Sequence, residues 1–400
     1  MDLVELDIQR VVAGGDGLAR DADGQVVFVS SALPGERVRA RITEVKKGFR
    51  RAEITTLVEP SSVRREPPCP HVADGCGGCD WQHVAPDNQR KLKASIVIDA
   101  LRRIGKLDPP PIDLGPELPS TGYRTALRVA IHGGRPAMRH RGSHDLVPID
   151  RCLVAHPLID ELIERGRFGA ATEVALRAGV ATGERLVHFE TEADPATDRG
   201  IELPDDVFVV GPRGRGAIHE DVDGSRFRIS AGSFFQARTD GAGALVDAVR
   251  AAAGDLDGAT LVDLFAGVGL FAKTVGAPAT EVIVVEGSAE ACRDARHNVP
   301  SARVIEVDVH RWRPEQADVV VADPSRAGLG RGVVDRIAAT GADRIVLVSC
   351  DPAALGRDAR LLVEHGYQLA TAALVDLFPH TSHVEVVSAF VRHPGALTAP

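Results

Sequence analysis

The chain has 400 residues, a formal net charge of -9, 44% hydrophobic residues and 6 cysteines. That length suggests about two or three domains, and no apolar run is long enough to span a bilayer, so no membrane role is expected. The acidic start Met1-Asp2-Leu3-Val4-Glu5 lacks the blocks of a secretion signal, which predicts a cytoplasmic location, and so few cysteines are better read as ligands or catalysts than as a disulfide scaffold.

Residues 1–60 read as short strands, Leu3–Val11, Gln25–Ser30, Glu36–Thr43 and Arg51–Val58, separated by glycine turns. That spacing predicts a small closed barrel, a shape often used to bind nucleic acid. The acidic average argues against a nucleic-acid partner, but three basic clusters oppose it. Arg37, Arg39, Arg41, Lys46, Lys47, Arg50 and Arg51 form the first, with only Glu44 among them. Arg90, Lys91, Lys93, Arg102, Arg103 and Lys106 form the second, and Arg124, Arg128, Arg135, Arg139 and Arg141 the third. Each is either a solvated face or part of a phosphate-binding stripe.

After a linker at 60–68 comes a loop carrying Cys69, Cys76 and Cys79, with Cys152 further on as a fourth candidate ligand. Such a thiol set suits zinc or an iron–sulfur cluster, and spacing alone does not choose. The apolar spacing of Leu92, Ile96, Ile98, Leu101 and Ile104 predicts a helix over 87–106 with Asp87 as N-cap. Residues 123–229 mix strands and helices. From Ser233 a helix (Gly243–Ala253) leads into strands alternating with helices, the pattern of a covered parallel sheet. A final pair, Ala370–Leu377 and His383–Val391, reads as an antiparallel hairpin closing it.

Polar groups recur at the ends of these apolar strands, the edge where open α/β sheets build sites. Leu261–Phe271 is strand, glycine turn and helix start, with Asp263 in the strand and Phe265 beside the turn. Glu286 ends the next strand, where a carboxylate can accept from ribose hydroxyls. A dinucleotide is the rival ligand. Asp263 and the closing antiparallel hairpin favour S-adenosylmethionine. Phe265 suits either the cofactor or the core. Asp323 ends a further strand, and Cys350 follows Ile345–Val348.

These segments, in their order, resemble the RNA uracil-5-methyltransferases that carry an N-terminal TRAM domain. Ser233-Phe234-Phe235-Gln236, the Asp263–Phe271 loop, Asp323-Pro324-Ser325-Arg326-Ala327-Gly328, Ser349-Cys350-Asp351-Pro352 with Arg357-Asp358, and Phe378-Pro379-His380-Thr381-Ser382-His383-Val384-Glu385 each look like a family box. Ser325 stands where the family has proline, Asp351 where it has asparagine, and Ala266 where cysteine is common. None removes a reacting group, but Asp351 is expected to raise the thiol's pKa.

The resemblance implies an OB-like TRAM β-barrel (1–60), a small α+β central domain with the cysteines (61–230) and a Rossmann-like methyltransferase domain (231–400), with the helix at 87–106 packed on the last. Uracil C5 is a poor nucleophile until a thiolate adds at C6, and a base must later remove the C5 proton. The resemblance assigns these tasks to Cys350 and Glu385, Gln236 to the cofactor, and Asp323 to the target base or cofactor. Arg326 stands where N-methylating enzymes carry an aromatic residue. Many family members hold a [4Fe–4S] cluster on a similar cysteine set, so a cluster is favoured over zinc at Cys69, Cys76, Cys79 and Cys152. Cys292 reads as packing. The expected partner is RNA, ribosomal or transfer, met by a monomer. The rivals are a non-catalytic RNA-binding protein that keeps the fold and a methyltransferase of small molecules.

Overall fold

The computed structural model describes residues 3–190, 198 and 200–393; Met1 and Asp2 of the acidic start lie outside them. Strands β1 (Leu3–Asp7), β2 (Arg10–Val11), β3 (Gly17–Arg20), β4 (Val26–Ser30), β5 (Arg37–Lys46) and β6 (Phe49–Glu59) form one sheet in the order β1-β5-β6-β4-β3-β2. The sheet curls around Leu6, Val27, Val29, Val38, Ala40 and Ile42. Its ends are β1 and β2, where a closed ladder is expected from sequence. Alternation along β5 turns Val38 and Ala40 inward and Arg39 and Arg41 outward. The expected strand Leu3–Val11 breaks in two because Ile8 N–H donates to Glu36 O and Gln9 N–H to Leu18 O. Strand β3 escapes sequence reading because it is short and starts on Gly17. A Cβ there would meet Ala32 O at 2.8 Å, so the close approach requires glycine.

Helix α1 spans Pro86–Arg103. Pro86 sits at its first turn after an extended Ala85, so Asp87 lies inside the turn and is not the N-cap. Strand β7 (Ile112–Asp113) follows. Strands β8 (Ala126–His132), β9 (Arg135–Arg139), β10 (Leu146–Pro148), β12 (Glu173–Ala178), β13 (Arg185–Phe189) and β15 (Val207–Val210) make a second sheet in the order β10-β9-β8-β12-β13-β15. Helix α2 (Pro157–Arg165) covers it through Ile159, Leu162 and Ile163. Strands β11 (Arg167–Phe168) and β14 (Ile201–Glu202) pair beside it, and β16 (Ala217–Val222) and β17 (Ser225–Ser230) form a hairpin.

The large sheet uses β18 (Thr260–Leu264), β19 (Glu281–Glu286), β20 (Arg303–Glu306), β21 (Val319–Ala322), β22 (Arg344–Ser349), β23 (Tyr367–Leu374) and β24 (Val386–Arg392). Its order is β20-β19-β18-β21-β22-β24-β23-β7. From β20 to β22 the neighbours are parallel, and β24 is antiparallel to both β22 and β23. The final pair is therefore antiparallel as expected, but β24 is inserted between β22 and β23, and β7 adds the outer edge. Central strands such as Val319–Ala322 are buried throughout, as a sheet covered on both faces requires. Helices α6 (Gly330–Ala339) and α7 (Pro352–Glu364) cover one face together with Ala94, Val97 and Leu101 of α1. Helix α3 (Thr239–Ala253) and the β16–β17 hairpin cover the other. The short helices α4 (Leu270–Thr274) and α5 (Ala289–Asn298) complete the layer near the glycine loop. Among the described residues no helix is long and apolar enough to cross a membrane.

Candidate active site

The loop after β18 turns on backbone that side chains disfavour. Phe265 has φ 58°, Gly267 φ 55° and Gly269 φ 89°. A non-glycine residue in the left-handed region is a local cost, tolerated where the surroundings over-determine it. Glu286 helps to fix the turn: its carboxylate accepts from Gly267 N–H at 2.9 Å and from Ser288 N–H at 2.7 Å. Asp263 lies beneath the loop, fully buried, accepting from Ala272 N–H at 2.9 Å, and burial pushes its carboxyl up to about 8. Phe265 is half-buried and packs against the core of the large sheet. Gln236 is 8% exposed and lines a small cavity with Thr125, Arg177, Glu220 and Phe235.

Cys350 opens onto a cavity of about 320 Å³ built by three stretches of chain. Ala13 and Gly14 come from the curled sheet, Gly77, Gly78 and Asp80 from the cysteine loop, and Arg326, Asp351 and Thr381–Val384 from the large-sheet edge. Burial pushes the Cys350 thiol up to about 11, the Glu385 and Asp323 carboxylates push it the same way, and Arg326 pulls against them. Glu385 is 5% exposed, and burial with the nearby Asp323 raises its carboxyl well above the usual range. One of its oxygens has no hydrogen-bond partner. Burial raises Asp323 to about 7. The three residues thus sense one another, as groups that share a proton inventory must. Arg326 meets His383 Nε2 at 3.4 Å, and burial with this cation lowers the His383 pKa, so the ring is held neutral.

Asp351 corrects an expectation. Its carboxylate turns to the start of α7 and accepts from Ala354 N–H at 2.7 Å, capping the helix. The high thiol pKa comes from burial, Glu385 and Asp323 instead.

Cys69, Cys76, Cys79 and Cys152 line one cavity together with Gln82, Arg124, Met138 and Arg151. Burial raises Cys76 and Cys152, and takes Cys79 up to about 12. Among the described residues no group of three or more His, Cys, Asp or Glu is drawn together tightly enough for one metal ion. Zinc at 2.3 Å from each sulfur would need thiolates within about 4 Å of one another. The cavity the four thiols share is about 30 Å³, and they are the donor type that zinc or an iron–sulfur cluster takes.

The basic clusters are not bare stripes. Across the curled sheet Arg37 pairs with Asp7 and Glu59, Arg39 with Glu5, Arg41 with Glu53, Arg50 with Asp21, and Arg51 with Asp16 and Glu44. Lys93 is fully buried, its ammonium 2.7 Å from Asp376 and donating to Phe378 O at 3.0 Å. Lys93, Gln89 and Tyr123 touch the segment before Glu385, a role that sequence reading missed. The one signal available was local: Gln89, Lys93, Ile96, Val97 and Ala100 lie on one buried helical stripe.

The structure of a Pyrococcus abyssi tRNA (uracil-54, C5)-methyltransferase with S-adenosyl-L-homocysteine superposes with a TM-score of 0.75 over 96% of this chain and 99% of its own, at 24% identity. The fold is therefore that of a methyltransferase carrying an added N-terminal sheet. Residues 3–55 match the TRAM domain and residues 303–392 match the family described as tRNA (Uracil-5-)-methyltransferase. An uncharacterised RNA methyltransferase of Streptomyces coelicolor is 35% identical over 96% of this chain and 92% of its own. The 23S rRNA (uracil(1939)-C(5))-methyltransferase RlmD of Aeromonas hydrophila is 32% identical, covering 92% of each chain. The chain belongs to the TRAM-domain-containing RNA (uracil-5-)-methyltransferase family and is an enzyme of that kind.

Proposed function

We propose that the protein methylates C5 of a uridine in RNA through a covalent bond between Cys350 and C6 of the base. The observation that carries this reading is that Cys350, which lines an open cavity, has the buried Glu385 and Asp323 carboxylates close enough to raise its pKa. The Phe265–Gly269 loop, Glu286, Gln236 and Asp323 would hold S-adenosylmethionine, which would supply an electrophilic methyl group on a sulfonium centre. The Cys350 thiolate, its proton given up to solvent, would add to C6 and place the electron pair on C5, which would take the methyl as the sulfonium C–S bond breaks and its pair stays on that sulfur. Glu385, its free oxygen turned to no other partner, then removes the C5 proton; the C5–C6 double bond re-forms and the thiolate leaves. Since Asp323, Glu385 and Cys350 all hold protons more tightly than exposed groups, activity should rise with pH through and above neutrality. A cavity of this size admits a base that is single-stranded or flipped out of a stack.

Ribosomal RNA is the first substrate class to test. The RlmD relative is 32% identical along nearly all of both chains, whereas the tRNA enzyme, at 24%, supports the fold alone. Residues 1–60 and 61–230 would grip RNA and 231–400 would carry the chemistry, in a cytoplasmic monomer. Cys69, Cys76, Cys79 and Cys152 would hold a [4Fe–4S] cluster, with zinc the alternative.

RNA containing 5-fluorouridine tests the reaction. Fluorine at C5 cannot leave as a proton does, so wild type with cofactor should give a denaturation-resistant complex and Cys350→Ala none. RNA binding without a complex would favour a non-catalytic binder that keeps the fold.

A further inference from the structure

The segment 375–385 that leads into Glu385 makes few bonds of its own. Within it, Val375 N–H donates to Glu385 O, Leu377 N–H to Val375 O and Thr381 N–H to Phe378 O. His380 stands at φ 67°, a costly conformation for a residue with a Cβ. The bonds that hold it come from elsewhere in the chain. Gln89 accepts from His380 N–H at 2.7 Å, and its amide nitrogen lies 3.3 Å from His380 Nδ1 while donating to Val84 O at 2.9 Å. Trp81 N–H donates to His380 O at 2.9 Å, Ser382 N–H donates to Asp80 Oδ1 at 2.9 Å, and Tyr123 Oη donates to Pro379 O at 2.9 Å. Lys93 holds Asp376 and Phe378 from beneath. Asp80 directly follows Cys79, and Arg124, which lines the cysteine cavity, lies 5.5 Å over the Phe378 ring.

We infer that the cysteine loop and α1 act as a clasp that positions the general base: Asp80, Gln89 and Tyr123 are positioning residues that fix the segment carrying Glu385. The inference rests on the reading of Glu385 as the base. The clasp touches one side of the chemistry only. Addition of the Cys350 sulfur to C6 does not use Glu385. Removal of the C5 proton by the Glu385 carboxylate does, with the C–H pair re-forming the C5–C6 bond and the C6–S pair returning to sulfur. A loosened clasp therefore slows release of the adduct more than its formation.

Tyr123→Phe removes one hydroxyl, Asp80→Ala removes one acceptor, and Asp80→Asn restores an acceptor of the same shape. The expected result with ordinary uridine RNA is a fall in kcat of roughly tenfold to a hundredfold with little change in KM. A denaturation-resistant RNA complex should accumulate at steady state, as it should in Glu385→Gln. Complex formation with 5-fluorouridine RNA falls far less, and Asp80→Asn recovers most of the loss. If the variants slow both steps equally, or turn over like wild type, the clasp is refuted. If wild type itself forms no 5-fluorouridine complex, the adduct mechanism fails, and the clasp with it. Should Asp80→Ala not fold, Tyr123→Phe decides alone, because it leaves the buried ring over Arg238 in place.

Discussion

The Cys350 thiol rests at about 11 because it is buried against the Glu385 and Asp323 carboxylates. The sign of that effect gives a test on the free protein. A nearby negative charge disfavours the thiolate, so Asp323→Asn lowers the thiol pKa and raises the thiolate fraction at any pH below it. At pH 8.5 the Cys350 peptide should be carboxamidomethylated faster in Asp323→Asn than in wild type, read by mass spectrometry. Asp351→Asn should leave that rate nearly unchanged, because its carboxylate faces the α7 N-terminus and asparagine caps a helix as well. An acceleration by Asp351→Asn as large as that of Asp323→Asn would reverse the assignment. The placement of Asp323 and Cys350 just after buried strands was legible from the apolar runs before them, whereas Glu385, which precedes β24, was marked by sequence context alone. The direction in which Asp351 points was not, since one strand-to-helix turn can present a side chain either to the site or to the helix.

At the scale of elements, the join between α1 and the β23–β24 connection depends on one buried ion pair. Lys93 and Asp376 are 283 residues apart in sequence, so no local pattern announces them, and a charged residue in a helix is normally counted as surface. Removing either partner leaves the other charge buried. Lys93→Met alone, or Asp376→Leu alone, should cost about 3–5 kcal/mol in urea unfolding, and the double variant should recover most of it. Equal and additive losses would mean that the pair is not energetically coupled. The apolar strands of the large sheet were readable from their buried runs. The place of β24 and the addition of β7 were not, because β7 is two residues long and strand order is a long-range property.

For the molecule as a whole, the cavity at Cys350 exists only because segments from distant parts of the chain converge on it. Gly15 shows how closely the curled sheet is seated. It has φ 86°, its carbonyl accepts from Trp81 Nε1 at 3.2 Å, and a Cβ there would lie 2.7 Å from both that nitrogen and Ser382 Cβ. Gly15→Ala should therefore lower both the melting temperature and kcat by pushing the sheet off the Glu385 segment. Gly24→Ala, at φ 78° with open space around it, should cost only the backbone term of roughly 1 kcal/mol and leave kcat alone. Equal effects would show that the seat at Gly15 has slack. The sequence, through turn and strand patterns, marked the strands of the N-terminal sheet and the alternating elements of the large one. It did not reveal their seating, since a glycine needed for contact looks the same as one needed for a turn.

The insertion of β24 between β22 and β23 has a further meaning in time. Chains leave the ribosome from their N-terminus, at about 5–20 residues per second. The glycine loop, the thiol of Cys350 and the outer strand β23 are all made before the strand that must separate β22 from β23. A growing chain thus carries Cys350, the proposed nucleophile, while the middle of its sheet is still vacant and Glu385 has no strand to anchor it. Under the proposed mechanism, such a chain could not take the C5 proton from a captured base. A prematurely terminated chain ending before Val386 would lack β24 and with it the strand that follows Glu385.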